Sequence, residues 1–297
     1  MSKNIMEEAT NLVRVSGTLI DVTFREGKFN DGRPYASATA TVRTTQTYGG
    51  REETSEYLVD MFASKYTKAN TLNKMYENIQ QLHTFKTAAN VGLDNADHVI
   101  IRNGRIREQN YASRSGTVVN NWRINAPFIS LGRVQDTGNF RICIYIMDMH
   151  EELDREGDPT GRLVIKGGVV TYGGNLDVIE FIVEDPNKVD YISRNWEVNK
   201  TVHVEGYIRC TSEEERTVKH STWGDEVPSF QSRLIKELIV VGGDNEVLPD
   251  ELGYETADIK KAFNVRKAKI EQMQIDAQNK MTAAPKKEST SEINWEY

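Results

Sequence analysis

Apolar and polar positions alternate along most of this chain, and the period changes at only a few places. Residues 12–24 set Val13, Val15, Leu19 and Val22 among polar neighbours, and 35–47 set Ala36, Ala38, Ala40 and Val42 against Ser37, Thr39, Thr41 and Arg43. Residues 55–63 alternate Tyr57, Val59 and Met61 with more exposed types. A period of two is that of strands with one buried face. Gly27, Gly32 and Pro34 punctuate the first junction, and Gly49-Gly50 the second. The period then lengthens: Leu72, Met75, Ile79 and Leu82 recur three to four apart and predict a helix over 65–82. Two more strand-like runs, 99–111 and 117–131, close the series, with residues 112–116 as the hairpin tip.

The same order returns. Strand patterns at 140–149, 162–172 and 176–184 precede a short helix at 187–196, and strands at 201–212 and 231–241 follow. The letters repeat too. Gly104-x-Ile106-Arg107 matches Gly206-x-Ile208-Arg209, and Arg123-Ile124 before Phe128-Ile129-x-Leu131-Gly132 matches Arg233-Leu234 before Leu238-Ile239-x-Val241-Gly242. An internal repeat sets the architecture. Five strands with a helix between the third and fourth is the order of the OB-fold, a small Greek-key barrel. The expected fold is mainly β: two tandem OB-fold-like five-stranded barrels, each with a helix between strands 3 and 4. Residues 1–136 form the first domain and 137–246 the second, with an insertion loop at 213–230. Residues 247–281 form a linker and an amphipathic helix whose stripe is Ile259, Phe263, Ile270, Met273 and Ala277. That helix packs on its own domain or joins a partner or second copy. Residues 282–297 lack a core-forming pattern and read as a disordered tail.

Charge separates the two halves. The net charge of −7 argues against a generally basic nucleic-acid coat. Yet residues 1–136 carry 17 Lys+Arg against 14 Asp+Glu, while 137–246 carry 12 against 21. Only the first repeat has cations to spare for a phosphate backbone. No apolar run reaches the length of a membrane span, and residues 1–8 lack a signal-peptide core. The expectation is a protein of the cytoplasm. Cys143 and Cys210 sit in apolar runs and read as buried thiols.

Two clusters carry the candidate chemistry. Arg102, Arg105, Arg107, Arg114 and Arg123 lie with Tyr111 and Trp122 between residues 99 and 125, beside a single acid, Glu108. Arg33, Tyr35, Arg43, Tyr48 and Arg51 lie on the second strand and its flanking turns. Arginines contact phosphates, and rings stack on bases at ~1–3 kcal/mol each without reading sequence. In OB-folds the second and third strands and the loop after the fourth line the ligand groove, so both clusters belong to one groove. Lys65, Lys68 and Lys74 extend its charge. Tyr207, Arg209, Arg216, Trp223 and Arg233 of the second repeat stand beside Glu213-Glu214-Glu215 and Asp225-Glu226, which repel phosphate. Catalysis has little support: no phosphate-binding Gly-x-x-x-x-Gly-Lys loop occurs, and His83, His98, His150, His203 and His220 lack metal-ligand spacing. No metal, cofactor or enzymatic activity is expected.

Val204-Glu205-Gly206-Tyr207-Ile208-Arg209 resembles the fourth strand of the single-stranded DNA-binding proteins, where Val-Glu-Gly-x-(Leu/Ile) recurs; Ile101-Arg102-Asn103-Gly104-Arg105-Ile106-Arg107 is a looser copy. Two folds in one chain look like the divergent single-strand binders of tailed phages. The resemblance implies a role in replication, recombination or repair. It also implies a tail, here Glu292, Ile293, Trp295, Glu296 and Tyr297, that recruits replication or recombination proteins. That tail has fewer acids than the bacterial pattern and has Tyr297 where the pattern has Phe. The expected partner is single-stranded DNA or RNA, with self-association as a further expectation. The alternative is a scaffold of the virion or replisome that uses its barrels for protein contacts.

Overall fold

The computed structural model describes residues 6–113, 117–220 and 226–283, with only the backbone given for 213–220, 226–232 and 280–283. The protein is mainly β. In the first half, β1 (Asn11–Lys28), β2 (Pro34–Tyr48) and β3 (Arg51–Ser64) form a meander. Helices α1 (Lys74–Gln81) and α2 (Ala88–Val91) follow. Then come β4 (His98–Glu108), a small hairpin of β5 (Tyr111–Ala112) and β6 (Val118–Val119), β7 (Trp122–Asn125) and β8 (Ser130–Leu131). The second half has β9 (Thr137–Leu153), β10 (Pro159–Thr171), β11 (Asn175–Val183), α3 (Pro186–Asn195), β12 (Thr201–His220) and β13 (Glu226–Gly243). Helix α4 (Thr256–Ala283) closes the described chain.

Pairing closes two rings. β1 pairs β2, β2 pairs β3, β3 runs parallel to β7, β7 pairs β4, and β4 returns to β1. β9, β10, β11, β13 and β12 repeat that circuit, with β11 parallel to β13. Each ring has the OB-fold order, and closure leaves few open strand edges. The rings are fused: Asn11–Ser16 of β1 pairs antiparallel with Thr137–Ile142 of β9, making one eleven-stranded sheet. The alternation explains each interior. Val13, Val15, Ala36, Ala40, Val42, Tyr57 and Val59 are buried in the first barrel, and Ile142, Ile144, Ile146, Ile165, Phe181 and Val204 in the second.

Some elements differ from the pattern-based expectation. The helix over 65–82 is shorter: Tyr66 and Leu72 form an isolated bridge, Asn70 takes a left-handed conformation, and Asn73 caps α1 through Met75 N–H. The run 117–131 breaks into three short strands: β6 pairs β5 in the hairpin, β7 pairs one end of β4 and β8 the other, with Pro127, which has no N–H for a ladder, between the last two. Among the described residues of the expected insertion loop, 213–220 and 226–230 are strand. β12 and β13 continue as a two-stranded ribbon out to His220↔Glu226. Cys143 and Cys210 are free and buried.

Candidate nucleic-acid interface

Because Ala36, Ala38, Ala40 and Val42 point inward, Tyr35, Ser37, Thr39, Thr41 and Arg43 must point outward. On β3 the outward set is Glu56, Leu58, Asp60 and Phe62, whose neighbours Tyr57, Val59 and Met61 are buried. This outward β2–β3 face is the one OB-folds use for ligands. Its upper end carries a cluster of three rings. Tyr35 lies 5.0 Å from Phe29 and 5.3 Å from Phe62, and Phe29 and Phe62 meet edge-on at 6.0 Å. Phe62 is 52 % exposed. Gly27 makes room: a Cβ there would fall 2.6 Å from the Tyr35 hydroxyl, so the ring lies across the β1 backbone.

Cations surround these rings. Arg25, Lys28, Phe29, Asn30, Tyr35, Ser37 and Phe62 line a shallow depression of about 550 Å³. Arg33 lies over the Phe29 ring at 5.4 Å, held by Asp31, which accepts from its Nε at 2.7 Å and its backbone N–H at 3.1 Å. Those two hydrogen bonds keep the Asp31 carboxyl below the usual range. Lys65 sits near the faces of Tyr66 and Tyr76. Farther along the face, two carboxylates are neutralised. Glu56 accepts from Arg43 Nε and Nη2, while Asp60 accepts from Thr39 Oγ1 at 2.7 Å and lies 3.6 Å from Arg123. The face can therefore offer π-surfaces and net positive charge to a phosphate-bearing strand.

The other candidates separate. Arg51 opens β3 and is exposed, at the opposite end from the rings. Arg102 is exposed on β4, and Tyr111 is 51 % exposed on the β5–β6 hairpin. Arg105 donates from Nη1 to both Glu8 oxygens at 2.9 Å. Arg107 turns to the second barrel, where Nε donates to Asp177 Oδ2 at 2.8 Å. Burial raises the Asp177 pKa against the opposing pull of Arg107. Trp122 packs on the core under Lys236, whose Nζ is 4.0 Å from the ring centroid. Arg114 and the tail residues Glu292 to Tyr297 lie outside the described residues. The rings Phe29 and Phe62 and the cations Arg25 and Lys28 were not among the sequence candidates.

Tyr48 belongs to the seam between the barrels. Its ring stacks on Tyr207 at 3.6 Å and 12°, and its hydroxyl donates to Asn139 Oδ1 at 2.7 Å. Burial raises its pKa. Beside it Arg209 binds Glu53, Glu184 and Glu237, one carboxylate from the first barrel and two from the second. The Tyr57 hydroxyl donates to the Ile208 carbonyl at 2.8 Å, and Ser55 Oγ accepts from Cys210 N–H.

In the second barrel the equivalent face is covered. Tyr48 and Tyr207 pack with Val164, Ile182 and Ile239 at one end. At the other, Ile259, Ala262 and Phe263 of α4 cover Val170, Leu176 and Val178. Arg266 of α4 also binds Glu108 at the end of β4, with Nε donating to Oε2 at 2.7 Å. Arg233 is exposed on the ribbon, whereas the side chain of Arg216 and all of Trp223 lie outside the described residues. No described helix is long and apolar enough to cross a membrane.

A family model described as YorF matches residues 9–276. No curated protein sequence matches the chain. Among solved structures, the single-stranded DNA-binding protein of Thermus aquaticus is similar at 10 % identity and a TM-score of 0.48, over 80 % of this chain and 93 % of that one. A deletion mutant of the same protein is similar at 13 % identity and a TM-score of 0.47, over 83 % of this chain and 100 % of that one.

Proposed function

The chain belongs to the YorF family, and we propose that it binds single-stranded DNA without strong sequence preference, through the β2–β3 face of its first barrel. The observation that carries this reading is the surface cluster of Phe62, which is exposed, with the half-buried rings of Phe29 and Tyr35, and with Arg25, Lys28 and Arg33 around it. Tyr35 and Phe62 lie on the outward side of β2 and β3, away from the barrel interior, and Phe29 packs against both rings. They are suited to stacking on unpaired bases, which a duplex withholds. The role is binding and protection, without catalysis, in replication, recombination or repair in the cytoplasm, as in a divergent tandem-barrel phage binder. Residues 1–136 carry the strand, 137–246 brace them, and residues 292–297 recruit partner proteins.

The test is fluorescence anisotropy of a labelled oligo-dT of about 30 nucleotides, with duplex DNA and matched RNA as competitors at two salt concentrations. Tight binding that weakens with salt, because phosphate contacts release counterions, and that duplex displaces poorly supports the reading. No binding at micromolar protein overturns it. A scaffold role is the second reading, favoured by the acidic second half and its covered face. It predicts no nucleic-acid affinity and a defined oligomer.

A further inference from the structure

Lys236 is a lysine in an unusual setting. It extends from β13 of the second barrel to the first, donating from Nζ to Asn121 Oδ1 at 2.8 Å and to the Trp122 carbonyl oxygen. The Trp122 ring covers it. No carboxylate among the described residues pairs with it; its partners are an amide oxygen, a backbone carbonyl and a π-face. Loss of one proton leaves an amine with two hydrogens for the two oxygens and a lone pair for an electrophile. Burial favours that loss and, with the nearby Arg123 charge adding to it, lowers the Lys236 pKa to about 8, partly offset by Cys210 and Asp60. A substantial minority of the amine is then neutral near pH 7.5, against well under about one per cent for an ordinary lysine at pKa ~10.4.

The site has room and a position. A cavity of about 120 Å³ is lined by Leu58, Asn121, Trp122, Arg123, Leu234 and Lys236, among others. Leu58 and Leu234 are 41 % and 64 % exposed, so the cavity borders solvent. Leu58 lies on the outward face four residues along β3 from Phe62, or ~13 Å at strand rise.

We infer that Lys236 captures aldehydes on the bound strand, the open-chain sugar of an abasic nucleotide being the substrate class. This rests on the single-strand reading above. The Nζ lone pair attacks the C1′ carbonyl carbon, a C–N bond forms, and the carbonyl oxygen takes a proton from the amine. The carbinolamine then loses one water, breaking the C–O bond, to give an imine. No redox step is involved, and hydrolysis returns both partners. Arg123, 28 % exposed at the cavity rim, provides a phosphate contact beside the reacting carbon. An abasic site also lacks the base that would otherwise fill the space between stacked neighbours, so the sugar can enter.

The experiment incubates the full chain with three single-stranded oligonucleotides of one sequence: intact, carrying one abasic site, and carrying a tetrahydrofuran residue that has no aldehyde. Borohydride is added, and adducts are read on denaturing gels and by peptide mapping. The expected result is an adduct with the abasic strand alone, mapped to Lys236, that falls at least about tenfold in Lys236→Arg. Mapping the native adduct keeps the test valid if that variant folds poorly. Anisotropy on the intact oligonucleotide separates the two readings. Binding without an adduct, or an adduct mapped to other lysines, overturns this inference alone; absence of binding overturns both.

Discussion

The two barrels share a strand order and differ in what covers one face. In the first, the β2–β3 face is open, and Phe62 and Leu58 point from it into solvent. In the second, α4 and the Tyr48–Tyr207 stack occupy the corresponding surface. On the proposed reading, the same fold supplies a binding surface in one copy and a bracing surface in the other. The difference lies in side chains and not in topology, as expected if fold and function are separable. The first barrel's β2–β3 turn supplies Tyr48 to cover the second, so one copy's bracing is built from the other.

The largest expected effect tests the open face. Tyr35→Ala with Phe62→Ala removes two stacking rings, which at ~1–3 kcal/mol per base lowers affinity about a hundredfold. The mirror control is Tyr172→Ala, which removes an 82 % exposed ring of the second barrel and should leave affinity unchanged. Equal losses in anisotropy titrations would end the distinction between the barrels. Thermal unfolding of both variants should match the parent, since these rings are not core.

The next effect compares the repeated glycines. A Cβ on Gly206 would lie 1.8 Å from the Ile239 carbonyl oxygen, a backbone atom; on Gly104 the nearest atoms are 3.2 Å away. Gly206→Ala should destabilise by about 2–3 kcal/mol and Gly104→Ala by about 1, as overpacking does, read from urea midpoints. A reversed order would contradict the asymmetry between the two fourth strands.

Arg209→Met should cost about 2 kcal/mol, less than a fully buried pair because the cluster keeps some solvent contact. Its signature is pH dependence. Burial pushes the Glu184 pKa up, but Arg209 and Arg162 outweigh it and hold it below the ordinary value. A depressed carboxylate stabilises fully above its unfolded pKa near ~4.3 and loses that contribution as pH falls through the folded value. The parent should therefore lose stability below about pH 4.3, and Arg209→Met should show a shallower slope there. Parallel curves would remove Glu184 from the account. The smallest effect is on salt: Arg25→Ala with Lys28→Ala should reduce the slope of log affinity against log salt by about 2 if both meet phosphates.

Much of this architecture is legible in the residue pattern, because burial of alternate residues is a local signal. Val42 and Tyr57 announce their strands, and the repeat of Gly104 and Gly206 announces the second barrel. Of the site proposed on the first barrel, half was legible. Arg33 and Tyr35 stood out as a cation and a ring beside a turn. Phe62 and Leu58 were hidden because the same alternation that marks Tyr57, Val59 and Met61 as core says nothing by itself of an apolar residue between them. The signal was present: apolar residues on both faces of one strand imply that something covers the outer one. Arg107 and Tyr48 read as groove residues since their partners, Asp177 and Tyr207, lie 70 and 159 positions away. No local pattern reports such a pairing.

The shared strand has a mechanical consequence. Val13 faces Gly104 of one ring and Phe140 of the other, so β1 is a member of the first circuit and the suture to the second. Beads on a string yield to tension one at a time, at a linker. Here a pull that strips β1 opens the first ring and removes its strand pairing to the second in the same event, leaving side-chain contacts such as Tyr48–Tyr207 and Arg209–Glu53 to hold the two together. On the proposed reading, load on a strand held at the open face passes through β1 into both rings, and the second barrel acts as ballast for the first.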